Sequence, residues 1–306
     1  MSQSTTLTGS GVARLEKRRE SRSLTQSAMR YVVRDRLTMV ALIVIVLLTL
    51  TCLLAPPLVE SVLKVDPNRT NVLDRYLGPG DEGHLLGTDQ LGRDQLIRLL
   101  YGGRISLLVA YSASLMSIGI GVTLGIMAGY YGGMVDDGIS WFINTLSSIP
   151  SIFLLILAST ALSPSPATLI IMLALLGWIW TCRLTRGEVL SLKERDYVLA
   201  ARALGASTRR VMFVHMLPNL FSQLIVALTI DAGTLILVES GLSFLGLGIQ
   251  QPTPSWGNML SAARSYFATG LHLVVWPGVL ITITVLCFYV VGDGLRDAFD
   301  PRTSRK

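Results

Sequence analysis

An all-α polytopic membrane protein with six transmembrane helices is the fold class this sequence predicts, on three observations. The chain of 306 residues is 51% hydrophobic and 15% charged, with mean hydropathy +0.55, whereas an ordinary soluble domain is about 25% charged. Its apolar residues fall in blocks long enough to cross a bilayer, for which about 20 residues are needed. Its cations concentrate in alternate segments between those blocks, as the positive-inside rule describes.

The elements follow in order. Met1 to Met29 is rich in Ser, Thr, Arg and Gln, too polar to build a packed core, and is expected to be flexible. Leu37 to Leu58 is the first span; it is too long and uninterrupted for a cleavable signal peptide and reads as a retained helix. From Glu60 to Gln95 the chain is punctuated by Pro67, Gly78, Pro79, Gly80, Gly83 and Gly87, which marks loops. The second span, Ile105 to Tyr130, carries Gly121, Gly125 and Gly129, a ladder of small residues that lets another helix approach closely. The third and fourth are Ile139 to Leu162 and the shorter Ala167 to Cys182. The fifth, Leu220 to Leu247, contains Asp231 and Glu239, and the sixth is Leu271 to Val291.

Cations orient the spans. Arg14, Lys17, Arg18, Arg19, Arg22, Arg30, Arg34 and Arg36 precede the first span, which predicts a cytoplasmic N-terminus. Six spans return the C-terminus, with Arg296, Arg302, Arg305 and Lys306, to the same side. The loop holding Arg183, Arg186, Lys193, Arg195, Arg202, Arg209 and Arg210 lies there too. Between Glu60 and Arg104 six basic residues are matched by seven acidic ones, as expected outside. The net charge of +6 is thus topological and gives no support to nucleic-acid binding. Gly132 to Gly138, with Asp136, Asp137 and no cation, adds nothing to the assignment.

Domain limits follow: a basic leader over 1–30, the first span over 31–60, an external segment over 61–104, a five-helix core over 105–300 and a tail over 301–306. The core includes a polar loop over 183–219 and an outer loop over 248–270.

Within the polar loop, DYVLAARALGASTRRVMFVHMLPN (Asp196 to Asn219) reads as a short docking helix. Asp196 is a candidate N-cap, and Tyr197, Ala200, Ala201 and Leu204 share one helical face. Arg202 lies at its edge, and Gly205 is a natural helix stop, with Ala206 and Ser207 after it. A second, basic helix is expected from Ser207 to Leu217, ending before Pro218. The stripe is mostly small, so a partner's backbone has room to approach.

Catalytic and metal motifs do not emerge. Cys52, Cys182 and Cys287 lie singly in apolar runs and read as small buried hydrophobes. His84, His215 and His272 are scattered, and no GxSxG or Walker A sequence occurs. Asp231 and Glu239, eight residues apart, lack a His or metal partner, which argues against an intramembrane enzyme. Whatever energy this protein uses is expected to come from another chain.

The order Ala200-Ala201, Gly205, Leu217-Pro218 resembles the loop of ABC-importer permeases that carries ATP-driven motion into the membrane, with Leu199 at the family's Glu and His215 at its later Ile. GTDQLGRDQLIRLLYGGRISL (Gly87 to Leu107) resembles the lead-in to the transport core of dipeptide/oligopeptide-type permeases, Ile97 replacing the usual Ser. There Asp89 and Asp94 are positioned to pair with Arg93 or Arg98, in a capped amphipathic segment lying on the bilayer. The outer loop GLSFLGLGIQQPTPSWGNMLSAARSYF and the tail GDGLRDAFDPR resemble the same family, so that Arg30 to Arg302 is covered.

The resemblance implies a type I ABC importer permease fold with a cytoplasmic coupling helix, in a subunit of the C-type half of peptide importers in a bacterial-type inner membrane. It implies a second related permease, two cytosolic ATPases that hold ATP and Mg, and an external solute-binding protein, with no cofactor bound by this chain. Peptides are the expected substrates; nickel chelates, glutathione, opines and oligosaccharides are the alternatives within the class. A membrane adaptor using 196–219 only as a binding surface explains the loop and spans but not the matches at both ends. Asp231, nearer mid-membrane, is expected to face the translocation cavity or partner subunit and contact a substrate amine, or else to pack against a buried polar group. Glu239, near the outer end of its span, is expected to reach the interface.

Overall fold

The computed structural model describes residues 24–59, 66–163, 165–264 and 270–299. The leader through residue 23, the tail from residue 300 and part of the 248–270 loop lie outside the described residues. Among those described, the helices are α1 (Leu24–Arg34), α2 (Arg36–Leu58), α3 (Gln95–Tyr131), α4 (Gly133–Ser147), α5 (Ser151–Ala161), α6 (Pro166–Lys193), α7 (Asp196–Ala203), α8 (Thr208–Phe244), α9 (Trp256–Ala263) and α10 (Leu271–Phe299). By length and apolarity α2, α3, α6, α8 and α10 each suffice to cross a membrane, and the bent α4–α5 pair, counted as one span, brings the number among the described residues to the expected six.

Helix starts follow local sequence. The Asp35 carboxylate accepts from Thr38 N at 3.0 Å and from the Thr38 hydroxyl, closing the N-terminus of α2. Those Thr38 hydrogen bonds, side chain first, hold the Asp35 carboxyl below its ordinary value. Asp94 caps α3 by accepting from Ile97 N at 2.9 Å. Ser165 caps α6 in the same way at Thr168 N, with Pro166 at the first helical position, where its missing N–H costs nothing. Ser255 and Asn258 form a reciprocal capping box on α9.

The core is built on α3, and α6 lies along it. A Cβ at Gly121 would sit 2.7 Å from Trp178 O and Thr181 Cβ, and one at Gly125 2.7 Å from Cys182 O and Thr185 Cβ. Gly129 meets Val189 the same way, and Gly177 of α6 answers at Ser117 of α3. This contact is held by packing, since the hydroxyls of Ser117, Thr181 and Thr185 are buried along it without hydrogen-bond partners. α10 packs on α8, with Gly233 against Phe288 and Gly292 against Ile230, while Gly294 meets Thr38 of α2. Cys52 and Cys182 are buried free thiols.

Several boundaries differ from the sequence expectation. Residues 95–104 are not part of a loop on the membrane surface; Asp94 starts the helix there, so α3 runs unbroken into the second span. Residues from Leu24 are helical although the leader reads as flexible, because α1 packs against α10. The fourth span does not stop at Cys182, since α6 carries Arg183 and Arg186 onward in helical form to Lys193. The third span is not one straight helix. It bends by 80° at Ser148–Pro150, where proline lacks the N–H that would continue the ladder and its ring crowds the preceding turn. α4 begins at Gly133, directly after α3, because Gly132 and Gly133 take φ of +64° and +49° and reverse the chain without a loop. Asp136 then pairs with Arg186 across to α6, Arg186 Nη2 donating to Asp136 Oδ2 at 2.6 Å.

We predict that Gly125→Leu separates α3 from α6, a strain exceeding the roughly 1–3 kcal/mol of ordinary core overpacking. Gly119→Leu, where the added carbon meets nothing within 4 Å, should be tolerated. Monodispersity of the detergent-extracted variants on size exclusion checks both.

Candidate functional site

The 196–219 segment folds as a short helix, a sharp turn and the start of a long one. Val198 is fully buried and packs in a cluster with Val189 at the end of α6 and Val211 and Met212 at the start of α8. That anchor, which the small-residue stripe does not reveal, turns the other side of α7 outward. Tyr197, Ala200 and Leu204 are exposed, Leu204 at 88%, and Ala201 is half-buried. Arg202, Gly205 and Ser207 are exposed and Ala206 is half-buried. Leu199 is exposed as well, widening the apolar surface beyond the expected stripe.

Asp196 is not the N-cap. Arg195 holds that position without a side-chain hydrogen bond, and Asp196 is the first helical residue, where its charge suits the positive end of the helix. Gly205 stops α7 at φ +81°, with Ala206 N donating to Ala201 O and Gly205 N to Arg202 O, each at 3.0 Å. This pair of bonds defines a Schellman turn, which needs the left-handed residue that glycine supplies without strain. The expected second helix does not end before Pro218. Residues Val211–Met216 form a wide π turn, Leu217 N donating to Met212 O, and α8 continues through the proline. The wider register absorbs the N–H that Pro218 lacks.

At the opposite end of the molecule, the GTDQLGRD stretch forms a buried polar knot. Asp89 Oδ1 accepts from Leu91 N at 2.8 Å and Arg93 N at 3.0 Å, while its Oδ2 accepts from Arg93 Nε at 2.7 Å and lies 3.6 Å from Arg98 Nε. Arg98, 2% exposed, also donates to Asn68 Oδ1 at 3.2 Å. Asp94 pairs with neither arginine; its second oxygen lies 2.7 Å from His84 Nδ1.

Glu239 does not reach the interface. It is wholly buried among α3, α8 and α9, where Ser106 Oγ donates to Oε2 at 2.9 Å and Ser243 Oγ to Oε1 at 2.8 Å. Trp256 N donates in turn to Ser106 Oγ at 3.2 Å, and Trp256 Nε1 to Leu99 O at 3.0 Å. Ser106 and Trp256 were not legible as members of this network, since 133 residues separate Ser106 from Glu239 and 150 separate it from Trp256. Asp231 is different: it is half-buried, and its Oδ2 is buried without a hydrogen-bond partner. Next to it in sequence, Ile230 lines a cleft of about 460 Å³ between α6, α8 and α10, together with Trp180, Gln223 and Arg296. Gln223 Nε2 is held there by Glu188 Oε1 at 3.2 Å.

The arrangement therefore offers an exposed, partly apolar helix face at one end, a buried polar knot at the other and a partly polar cleft between α6, α8 and α10. Residues 121–305 match the family described as binding-protein-dependent transport system inner membrane component. Residues 23–79 match the N-terminal TM domain of oligopeptide transport permease C. The chain is 39% identical over 277 residues to the dipeptide transport system permease protein DppC of Alkalihalophilus pseudofirmus, covering 90% of each. It is 39% identical to the oligopeptide transport system permease protein OppC of Bacillus subtilis, over 93% of this chain and 92% of that one. The similarity to DppC of Haemophilus influenzae is 38% over 89% and 92% respectively.

The burial of Glu239 generates a stability prediction. Glu239→Leu removes the acceptor that Ser106 and Ser243 share, at about 1–3 kcal/mol for each buried hydroxyl left unpaired. Its melting temperature in detergent should fall clearly below that of Glu239→Gln, which keeps a carbonyl acceptor. Equal melting of the Leu variant and the unsubstituted protein would refute the assignment.

Proposed function

Because the chain belongs to the family of binding-protein-dependent transport system inner membrane components, we propose that it forms half of the translocation pathway of an ATP-driven importer of di- and oligopeptides. The peptide reading is supported by the names of its relatives, dipeptide and oligopeptide permeases that align over nearly their whole length. A second, related permease supplies the other half of the pathway, two cytosolic ATPases supply the energy, and an external solute-binding protein delivers the substrate. The α7 end faces the cytoplasm, as the cations of 183–210 indicate.

One observation carries the mechanism: α7 is gripped from within and bare without. Val198 ties it to the ends of both α6 and α8, so a push on Tyr197, Ala200, Ala201 or Leu204 moves two membrane helices together. The Schellman turn at Gly205 keeps the joint short and stiff. ATP binding and hydrolysis in the partner subunits thereby reach the pathway without any chemistry in this chain. Asp231, with one carboxylate oxygen unpartnered, is the group offered to a substrate amine.

Ala201→Asp places an unpaired charge in the docking contact, a cost of several kcal/mol, and Gly205→Val forces a β-branched residue to positive φ. Both should reach the membrane at normal abundance yet lose at least about tenfold in uptake, the factor for 1.4 kcal/mol, with less ATPase co-purifying. A Cys replacing Ser207 should label with an impermeant reagent only from the cytoplasmic side. Wild-type uptake, abundance and ATPase association in Ala201→Asp would remove the coupling role. Asp231→Asn should lower uptake; normal uptake of several peptides would remove the amine contact.

A further inference from the structure

The first helix, α1, leaves one side bare. Ala28 and Val32 are buried, and α1 packs against α10. On the open side Met29 and Val33 stand one turn apart, 67% and 59% exposed. Arg30 and Arg34 are exposed one residue further round, and Arg36 follows at the start of α2. None of these three arginines forms an ion pair among the described residues. The acid between them, Asp35, is engaged with the backbone and hydroxyl of Thr38. Apolar and cationic rows side by side are the pattern of a helix that lies in a membrane interface.

Three observations place α1 there. α2 has 23 residues, about 34 Å at the helical rise, against a hydrocarbon core of about 30 Å, so its first residues sit at the edge of that core. Only Asp35 separates the two helices, and its ψ of 107° turns the chain away from the axis of α2. The bare row also runs on without a gap, from Met29 and Val33 through Leu37 to Val40, Ile43 and Leu47, all exposed. On α2 that row is aliphatic, with none of the small residues by which helices meet in lipid, and it suits acyl chains. Finally, Ile230 meets Gly292 and Gly233 meets Phe288, so α8 and α10 are antiparallel, and Gly294 meets Thr38. α1 therefore lies at the same end of the molecule as α7, where the loop cations gather.

We propose that α1 is embedded in the headgroup layer on the α7 side, with Met29 and Val33 among the upper acyl carbons and Arg30, Arg34 and Arg36 holding anionic phospholipid. This goes beyond the importer reading and does not depend on it. The test uses the full chain with its co-purifying subunits in lipid nanodiscs. Bimane is placed on Val33→Cys, or on Met29→Cys should the first fail to assemble, with the unsubstituted chain as blank for the three native cysteines. A nitroxide near the headgroup should quench the bimane at least about twofold more than one at the acyl chain end, as expected of a helix at that boundary. At equal mole fraction, nitroxide-bearing phosphatidylglycerol should quench at least about twofold more than nitroxide-bearing phosphatidylcholine, since arginines near a bilayer surface attract anionic lipid. Replacing the three arginines together, Arg30→Gln, Arg34→Gln and Arg36→Gln, should erase that preference and leave the quenching. About 1 M salt, which screens charges beyond about 3 Å, should do the same. A bimane that no nitroxide quenches overturns the lipid contact. Quenching that appears only after ATPase subunits are stripped away overturns it too and assigns the face to protein. Quenching that is equal for the two headgroups, or a preference indifferent to the arginines and to salt, overturns the recognition of anionic lipid. Every readout is independent of transport, so the importer reading stands or falls separately.

Discussion

The close approach of α3 and α6 is the contact on which the rest of the architecture hangs. Lipid tails are as apolar as leucine, so burial alone does not hold two membrane helices together; dense packing must. Gly121, Gly125 and Gly129 on one helix and Gly177 on the other bring the backbones near enough for Thr181, Thr185, Val189 and Ser117 to fill the groove. Both helices outrun the bilayer from that contact. α3 extends at one end to Asp94 and the polar knot around Asp89, and α6 extends at the other to Lys193, where it delivers α7. A shift along this one seam therefore bears on both ends of the molecule.

Polar groups inside the span region sort into two kinds. Glu239 is fully buried with two close serine donors, and through Ser106 it ties α3 and α8 to the start of α9 at Trp256. Such satisfied groups have finished their work in the fold. Asp231 instead has a buried oxygen with no hydrogen-bond partner. A membrane protein retains such groups where water, substrate or another subunit completes them. Hydrogen-bond satisfaction thus tells the two acids of α8 apart, which residue type alone does not.

The attachment of α7 accounts for how a helix of eight residues keeps its shape, as the coupling role proposed above requires. An isolated helix of that length is marginal in water, so α7 owes its shape to Val198 and to the turn at Gly205. Exposed Leu199 and Leu204 are part of the apolar surface that the proposed docking would cover.

The sequence by itself determined the membrane class, the six apolar blocks, the docking segment and the family, because composition, block length and local turn chemistry are properties of short stretches. Gly205 as a helix stop and the glycine ladder were legible for the same reason. Tertiary structure alone decided the helical course of residues 95–104 and the continuation of the second helix past Leu217 and Pro218, where helices run on through polar or proline-bearing sequence because their partners hold them. It alone bent the third span at Pro150, buried Val198 rather than the small stripe, and enclosed Glu239. Each of these depends on groups far apart in the chain, Ser106 and Glu239 or Arg183 and Asn144. Pattern within a segment reports its period and its ends; which polar group meets which partner is fixed only when the helices pack.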